Sequence, residues 1–174
     1  MKDNLVVFYS RSGHTRRLAQ RLAARLDADL DEIHELHPHR GLLGLARCLY
    51  DALLGREPPI TAPTQPPLGY ARVIVGGPVW ADHVAGPVRS YLTRHADELR
   101  HVAFFCSCAH SGAQTLADMA SLCDREPDAT LMMTVRQIDE GGAVALDAFV
   151  TALQPAAAPA APAPAAGPSR DRAA

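Results

Sequence analysis

The chain has 174 residues, 48% of them hydrophobic, and a formal net charge of −2. That length suits one domain with a sizeable core, and the composition excludes a chain disordered throughout. Charges of both signs are spread along it, which supports neither nucleic-acid binding nor a polybasic membrane surface, and no apolar run is long enough to span a bilayer.

The opening residues, Met-Lys-Asp-Asn, run directly into a strand pattern, so no signal peptide is expected. Leu5 to Tyr9 form a short apolar run of the kind buried on both faces of a parallel sheet. Ser10-Arg11-Ser12-Gly13-His14-Thr15 follows, and then a helix pattern carrying Leu18, Leu22 and Leu26, with arginines elsewhere. A second strand is expected within Asp29 to Leu36. Gly41 to Leu54 reads as a strongly apolar helix suited to covering the sheet, lining a cofactor pocket or joining a subunit interface. A proline-rich connection (58–67) leads to the strand Arg72 to Gly77, which ends in Pro78-Val79-Trp80-Ala81-Asp82-His83. Pro87 opens the next helix. His101 to Cys106 is another buried strand, ending in Ser107-Cys108-Ala109-His110-Ser111-Gly112. Ser111 and Gln114 have capping-box spacing before the helix that follows. Ala129 to Ile138 is expected as the last strand, and Glu140-Gly141-Gly142 leads into a final helix.

Strands alternating with helices imply right-handed crossovers and one parallel sheet. The expected architecture is a three-layer α/β/α sandwich with a five-stranded sheet; if its order is 2-1-3-4-5, the first and third strands flank the reversal point and the fourth lies next along. Residues 1–154 would form the domain, and the Ala/Pro-rich stretch 155–174 a disordered tail. Cys48, Cys106, Cys108 and Cys123 lack C-x-x-C spacing, which points to a reduced, cytoplasmic protein.

Three loops therefore sit at the C-terminal ends of buried strands, where open parallel sheets bind ligands at the reversal of strand order. Loop 10–15 offers the hydroxyls of Ser10, Ser12 and Thr15, a glycine permitting close approach, and the unpaired amides of a helix start. Arg11, Arg16 and Arg17 would add positive potential. The same residues also read as an ordinary turn with Ser12 or Thr15 as N-cap. Trp80, the chain's one tryptophan, is either a stacking plate for a flat ligand or a packing residue. Loop 107–112 is small and polar, suited to backbone contacts with a planar heterocycle. A Walker motif and a G-x-G-x-x-G fingerprint are both absent. A receiver aspartate is missing where Gly76 and Gly77 stand, and the first loop has no cysteine to serve a phosphatase. His83 and His110 are either proton relays or exposed loop histidines. Cys106 and Cys108 are expected on opposite sides of their strand, with Cys108 more a filler than a reactive thiol. His34, His37 and His39 fit no standard metal spacing.

Over residues 4–153 the sequence resembles the flavodoxin family. The family's phosphate loop, S/T-x-T-G-x-T, is matched by Ser10-Arg11-Ser12-Gly13-His14-Thr15, with serine at the middle hydroxyl position. Gly76-Gly77-Pro78-Val79-Trp80 is similar to the family's first flavin-flanking turn, and Ser107 to Gly112 falls where its other flavin loop does. The resemblance implies bound FMN, its phosphate held by 10–15 and its ring system between 78–82 and 107–112. It implies electron transfer or flavin-dependent reduction with no protein nucleophile. The partners would be a redox protein or a small acceptor such as a quinone, NAD(P)H being one candidate donor; a homodimer is left open. Two departures stand out: the charge is nearly balanced where many carriers are acidic, and 107–112 holds no aromatic residue. An NAD(P)H-dependent quinone or FMN reductase, and a non-catalytic flavin-binding or regulatory module, are the alternatives.

Overall fold

A computed structural model describes residues 2–38 and 41–154. The expected tail at 155–174, and His39 of the histidine group, lie outside the described residues. Six strands occur among those described: β1 (Asn4–Phe8), β2 (Asp29–Glu32), β3 (Arg72–Trp80), β4 (His83–Val84), β5 (Val102–Cys108) and β6 (Thr130–Thr134). Five of them make a parallel sheet in the order β2-β1-β3-β5-β6, and β4 pairs antiparallel with the end of β3. This is the expected 2-1-3-4-5 sheet, with a hairpin strand shifting the numbering of its last two members.

Six helices connect and cover the strands: α1 (His14–Leu26), α2 (Gly41–Leu53), α3 (Gly86–His95), α4 (Ala113–Cys123), α5 (Val135–Asp139) and α6 (Ala143–Leu153). The pleat sends alternate residues to two cores. Leu5, Val7, Val73, Val75 and Phe104 pack with Val88, Leu92 and Met119 on one face. Val6, Phe8, Ile74 and Phe105 pack with Leu18, Leu22, Leu146 and Phe149 on the other. Each side is dry, so the central strands read as continuous apolar runs rather than alternating ones.

Several local expectations are corrected. The second strand stops at Glu32 because the chain beyond it turns to the proline-rich connection: Glu35 bridges Ile60, and Thr61 N–H donates to the His34 carbonyl at 2.9 Å. The last strand stops at Thr134, where a capping box starts α5. The Thr134 hydroxyl accepts from the Gln137 amide at 3.2 Å, and the Gln137 side-chain oxygen accepts from the Thr134 amide at 2.8 Å. The box expected at Ser111 and Gln114 does not form. Gly112 is the N-cap, which puts Gln114 one residue too early in the helix, and its amide instead donates to Asp118 at 2.8 Å. Finally, β5 continues to Cys108, so Cys106 and Cys108, two apart in one strand, share a face.

Candidate functional site

The first loop joins β1 to α1 with Gly13 as N-cap, at φ 93° and with no side-chain cap. That left-handed backbone favours glycine, and a Cβ there would meet nothing within 4 Å, so the space beside it is open. The N-cap alternative for Ser12 and Thr15 is thereby removed. Ser10 does the local tying: its hydroxyl accepts from the amides of Gly13 and Arg16, both at 3.2 Å. Ser12 is exposed, whereas Thr15 is 2% exposed. The Thr15 hydroxyl lies 2.7 Å from that of Ser107, itself 6% exposed, at the end of β5. Between the two runs β3, where Gly76 leaves room: a Cβ at that position would meet the Phe105 ring at 2.3 Å. Loops one and three are thus joined directly across the strand that carries loop two.

The expected positive potential is reduced by pairing. Arg16 meets Glu32 at 2.6 Å, and Arg17 meets Asp139 at 2.7 Å while also contacting His14 Nδ1 at 2.6 Å. Arg11 turns toward α2, donating to the Gly41 carbonyl at 3.1 Å and to Cys48 Sγ at 3.3 Å.

The second loop is a hairpin rather than an open turn. Pro78, Val79 and Trp80 belong to β3, Trp80 pairs with His83, and Ala81 and Asp82 form the tip at φ 50° and 66°. Positive φ at both central residues gives the twist that two-residue hairpins require. The tip is exposed. The Trp80 ring is not: it is 7% accessible and stands edge-on to Tyr9, ring centroids 5.6 Å apart. Of the two uses open to it, packing is the one present here. The hairpin is fastened to α4 by Thr115, whose hydroxyl donates to the Asp82 carbonyl at 3.1 Å, and by His83 Nδ1, 2.9 Å from Asp118. Burial raises the Asp118 carboxyl, but hydrogen bonds from Gln114 and His83 outweigh it and leave the group below its ordinary value.

In the third loop Ala109, His110 and Ser111 are exposed, while Ser107, Cys108 and Gly112 are buried. Gly112 is fixed by space, since a Cβ would meet Cys106 Sγ at 2.4 Å. Burial pushes the Cys106 thiol up to about 12 and raises that of Cys108 as well, so neither is a ready thiolate. A groove of about 830 Å³ runs from Ala109 and His110 to Arg136 and Asp139. Sequence reasoning missed Tyr9, Asp118 and Asp139. Each meets its partner through the fold, 35 or more residues away along the chain, and no local pattern marks such a contact.

No family model matches the sequence, and no curated protein matches it. Solved structures do, and they establish a flavodoxin-like fold. The Lactobacillus acidophilus flavoprotein solved in complex with FMN is 19% identical with a TM-score of 0.64, covering 82% of this chain and 99% of that one. The apo form of the flavoprotein from the same organism gives 20% identity and a TM-score of 0.60 over 80% and 97%. Oxidised flavodoxin 2 of Bacillus cereus gives 16% and 0.56 over 87% and 97%. Among the described residues no helix is long and apolar enough to cross a membrane.

Proposed function

We propose that this chain binds FMN at the C-terminal edge of its sheet and serves in electron transfer or flavin-dependent reduction. One observation carries the reading: α1 starts on a glycine with open space beside it, Ser10 holding two amides of that start, and its first turn is tied by Thr15 to the loop expected to flank the ring system. Helix-start amides and the dipole behind them favour a phosphate dianion. Exposed Ser12 supplies a further hydroxyl at the loop. The FMN held by the L. acidophilus flavoprotein supports the same assignment.

Bound there, FMN would supply the hydride or single-electron chemistry. The protein's part is then to position and enclose it. The hairpin tip at Ala81 and Asp82 and the exposed stretch 109–111 form the two walls, braced by Thr115 and Asp118 beneath. No thiol nucleophile is needed, and the buried cysteines suit none. Four free cysteines fit a reducing compartment, so we place the protein in the cytoplasm.

A second reading, an NAD(P)H-dependent reductase of quinones or FMN, is favoured by the ring environment. Residues 107–112 hold no aromatic side chain, and Trp80 is packed on Tyr9, which leaves a face for a flat acceptor to stack on. Absorbance of the purified protein and titration of its apo form with FMN test the first claim. A flavin spectrum and saturable binding are expected, and a colourless protein that takes up no FMN overturns it. Ser12→Ala should weaken FMN more than riboflavin, since only FMN carries the phosphate. Steady NAD(P)H consumption with a quinone and no partner protein would establish the reductase. Its absence in the flavin-loaded protein leaves a carrier or a non-catalytic module.

A further inference from the structure

Helix α2 packs on the protein by its small side. Gly44, Cys48 and Ala52, four residues apart, are the buried ones. Leu49 packs half-buried against the core beside them, but the other large side chains point away: Leu42 and Leu43 are 86% and 88% exposed, and Leu45, Tyr50, Leu53 and, just beyond, Leu54 are exposed too. Those six side chains leave roughly 700 Å² of surface in water, above the ~300–600 Å² of a typical monomer's largest apolar patch and near the ~800 Å² each partner gives up in a standard stable interface.

The pattern on that face says what it fits. Leu43, Ala46, Tyr50 and Leu53 succeed one another at spacings of three, four and three, the seam that one helix presents to another. A lipid surface would call for a basic flank. Here the charges on and just after the helix pair among themselves, Asp51 with Arg47 at 3.2 Å and with Arg56 at 3.6 Å, and Arg56 also stands over the Tyr50 ring at 5.4 Å. The seam is also complementary to itself. An antiparallel two-fold centred near position 48 sets Leu43 against Leu53 of the other helix and Ala46 against its Tyr50, large against small.

We propose that α2 is a homodimer interface, packed on α2 of a second copy about a two-fold axis. The contact is isologous and closes on itself, so it yields a dimer and no larger assembly.

Sedimentation equilibrium of the full chain at rising micromolar concentrations tests the state. A reversible dimer is expected, and Leu43→Glu or Leu53→Glu should weaken it by a factor of roughly 30 or more while circular dichroism stays unchanged. Register is tested by mixing Ala46→Cys and Tyr50→Cys chains under mild oxidation, with Thr151→Cys on α6 as control. A disulfide-linked dimer between the first two, and none with the control, is expected; the native cysteines are buried. A wild-type chain that stays monomeric throughout overturns the proposal. A monomer that floats with phosphatidylcholine vesicles, and loses that behaviour in Leu43→Glu, assigns the face to lipid instead. A dimer untouched by both glutamates and giving no cross-link places the interface elsewhere and equally overturns it.

Discussion

Helices α1 and α2 border the same loop and are both thirteen residues long, yet they treat their leucines oppositely. In α1 Leu18 and Leu22 are fully buried against the sheet while the arginines face water. In α2 glycine, cysteine and alanine face the sheet, and every leucine but the half-buried Leu49 faces outward. One helix is held by the bulk it inserts into the core. The other is held by closeness, which demands that its inward side be small. Hydrophobic content alone therefore does not say which way a helix faces; the sizes of the side chains on each stripe do.

That contrast can be broken by mutation. The largest effect should come from Leu22→Ala in α1, which empties a fully buried site and should cost about 2–5 kcal/mol in urea unfolding. If α2 is held by closeness, adding bulk rather than removing it should hurt. Ala52→Leu, at a position 1% exposed, should destabilise by about 1–3 kcal/mol on the same assay. Thr15→Val keeps the shape of α1 but strands the buried Ser107 hydroxyl, at about 1–2 kcal/mol. Adding Ser107→Ala should recover part of that loss, which a double-mutant cycle would measure as coupling.

A smaller effect belongs to pH. The Asp118 carboxyl lies below its unfolded value, so its contribution is complete above that value, near 4, and is lost as pH falls through the depressed folded value. The stability difference between wild type and Asp118→Asn should accordingly shrink below about pH 4. Smallest of all should be Leu53→Ala in α2. At concentrations that keep the chain monomeric it should change stability by less than about 0.5 kcal/mol, an order of magnitude under Leu22→Ala, because water already surrounds it.

Much of the fold was legible because buried parallel strands leave continuous apolar runs, and Leu5–Tyr9, Arg72–Gly77 and His101–Cys106 each have one. Their alternation with helices gave one parallel sheet, and its order was what the resemblance to the flavodoxin family implied. What escaped was settled by competition between neighbours. Thr134 and Gln137 carry a capping box inside a β-favouring stretch, and the box won. Ser111 and Gln114 carry the same spacing one position out of frame, and there Gly112 won. The inward face of α2 was hidden because its five leucines outnumber the three small residues turned inward, although Gly44, Cys48 and Ala52 stand four apart in plain view. In the site, position along the strands was readable, but pairing was not. Nothing near Arg16 or Arg17 announces Glu32 or Asp139, and nothing near Trp80 except Tyr9's own place at the end of β1 hints at the ring it packs on.

Ser10 has a consequence of its own. By accepting the Gly13 amide and the Arg16 amide in the first turn of α1, it holds the turn around Gly13 in shape from within the chain. The phosphate proposed for this loop would meet a turn whose ordering entropy was spent during folding, so little binding energy would be consumed in arranging it. Preorganisation of this kind would add to affinity for that phosphate without any further contact.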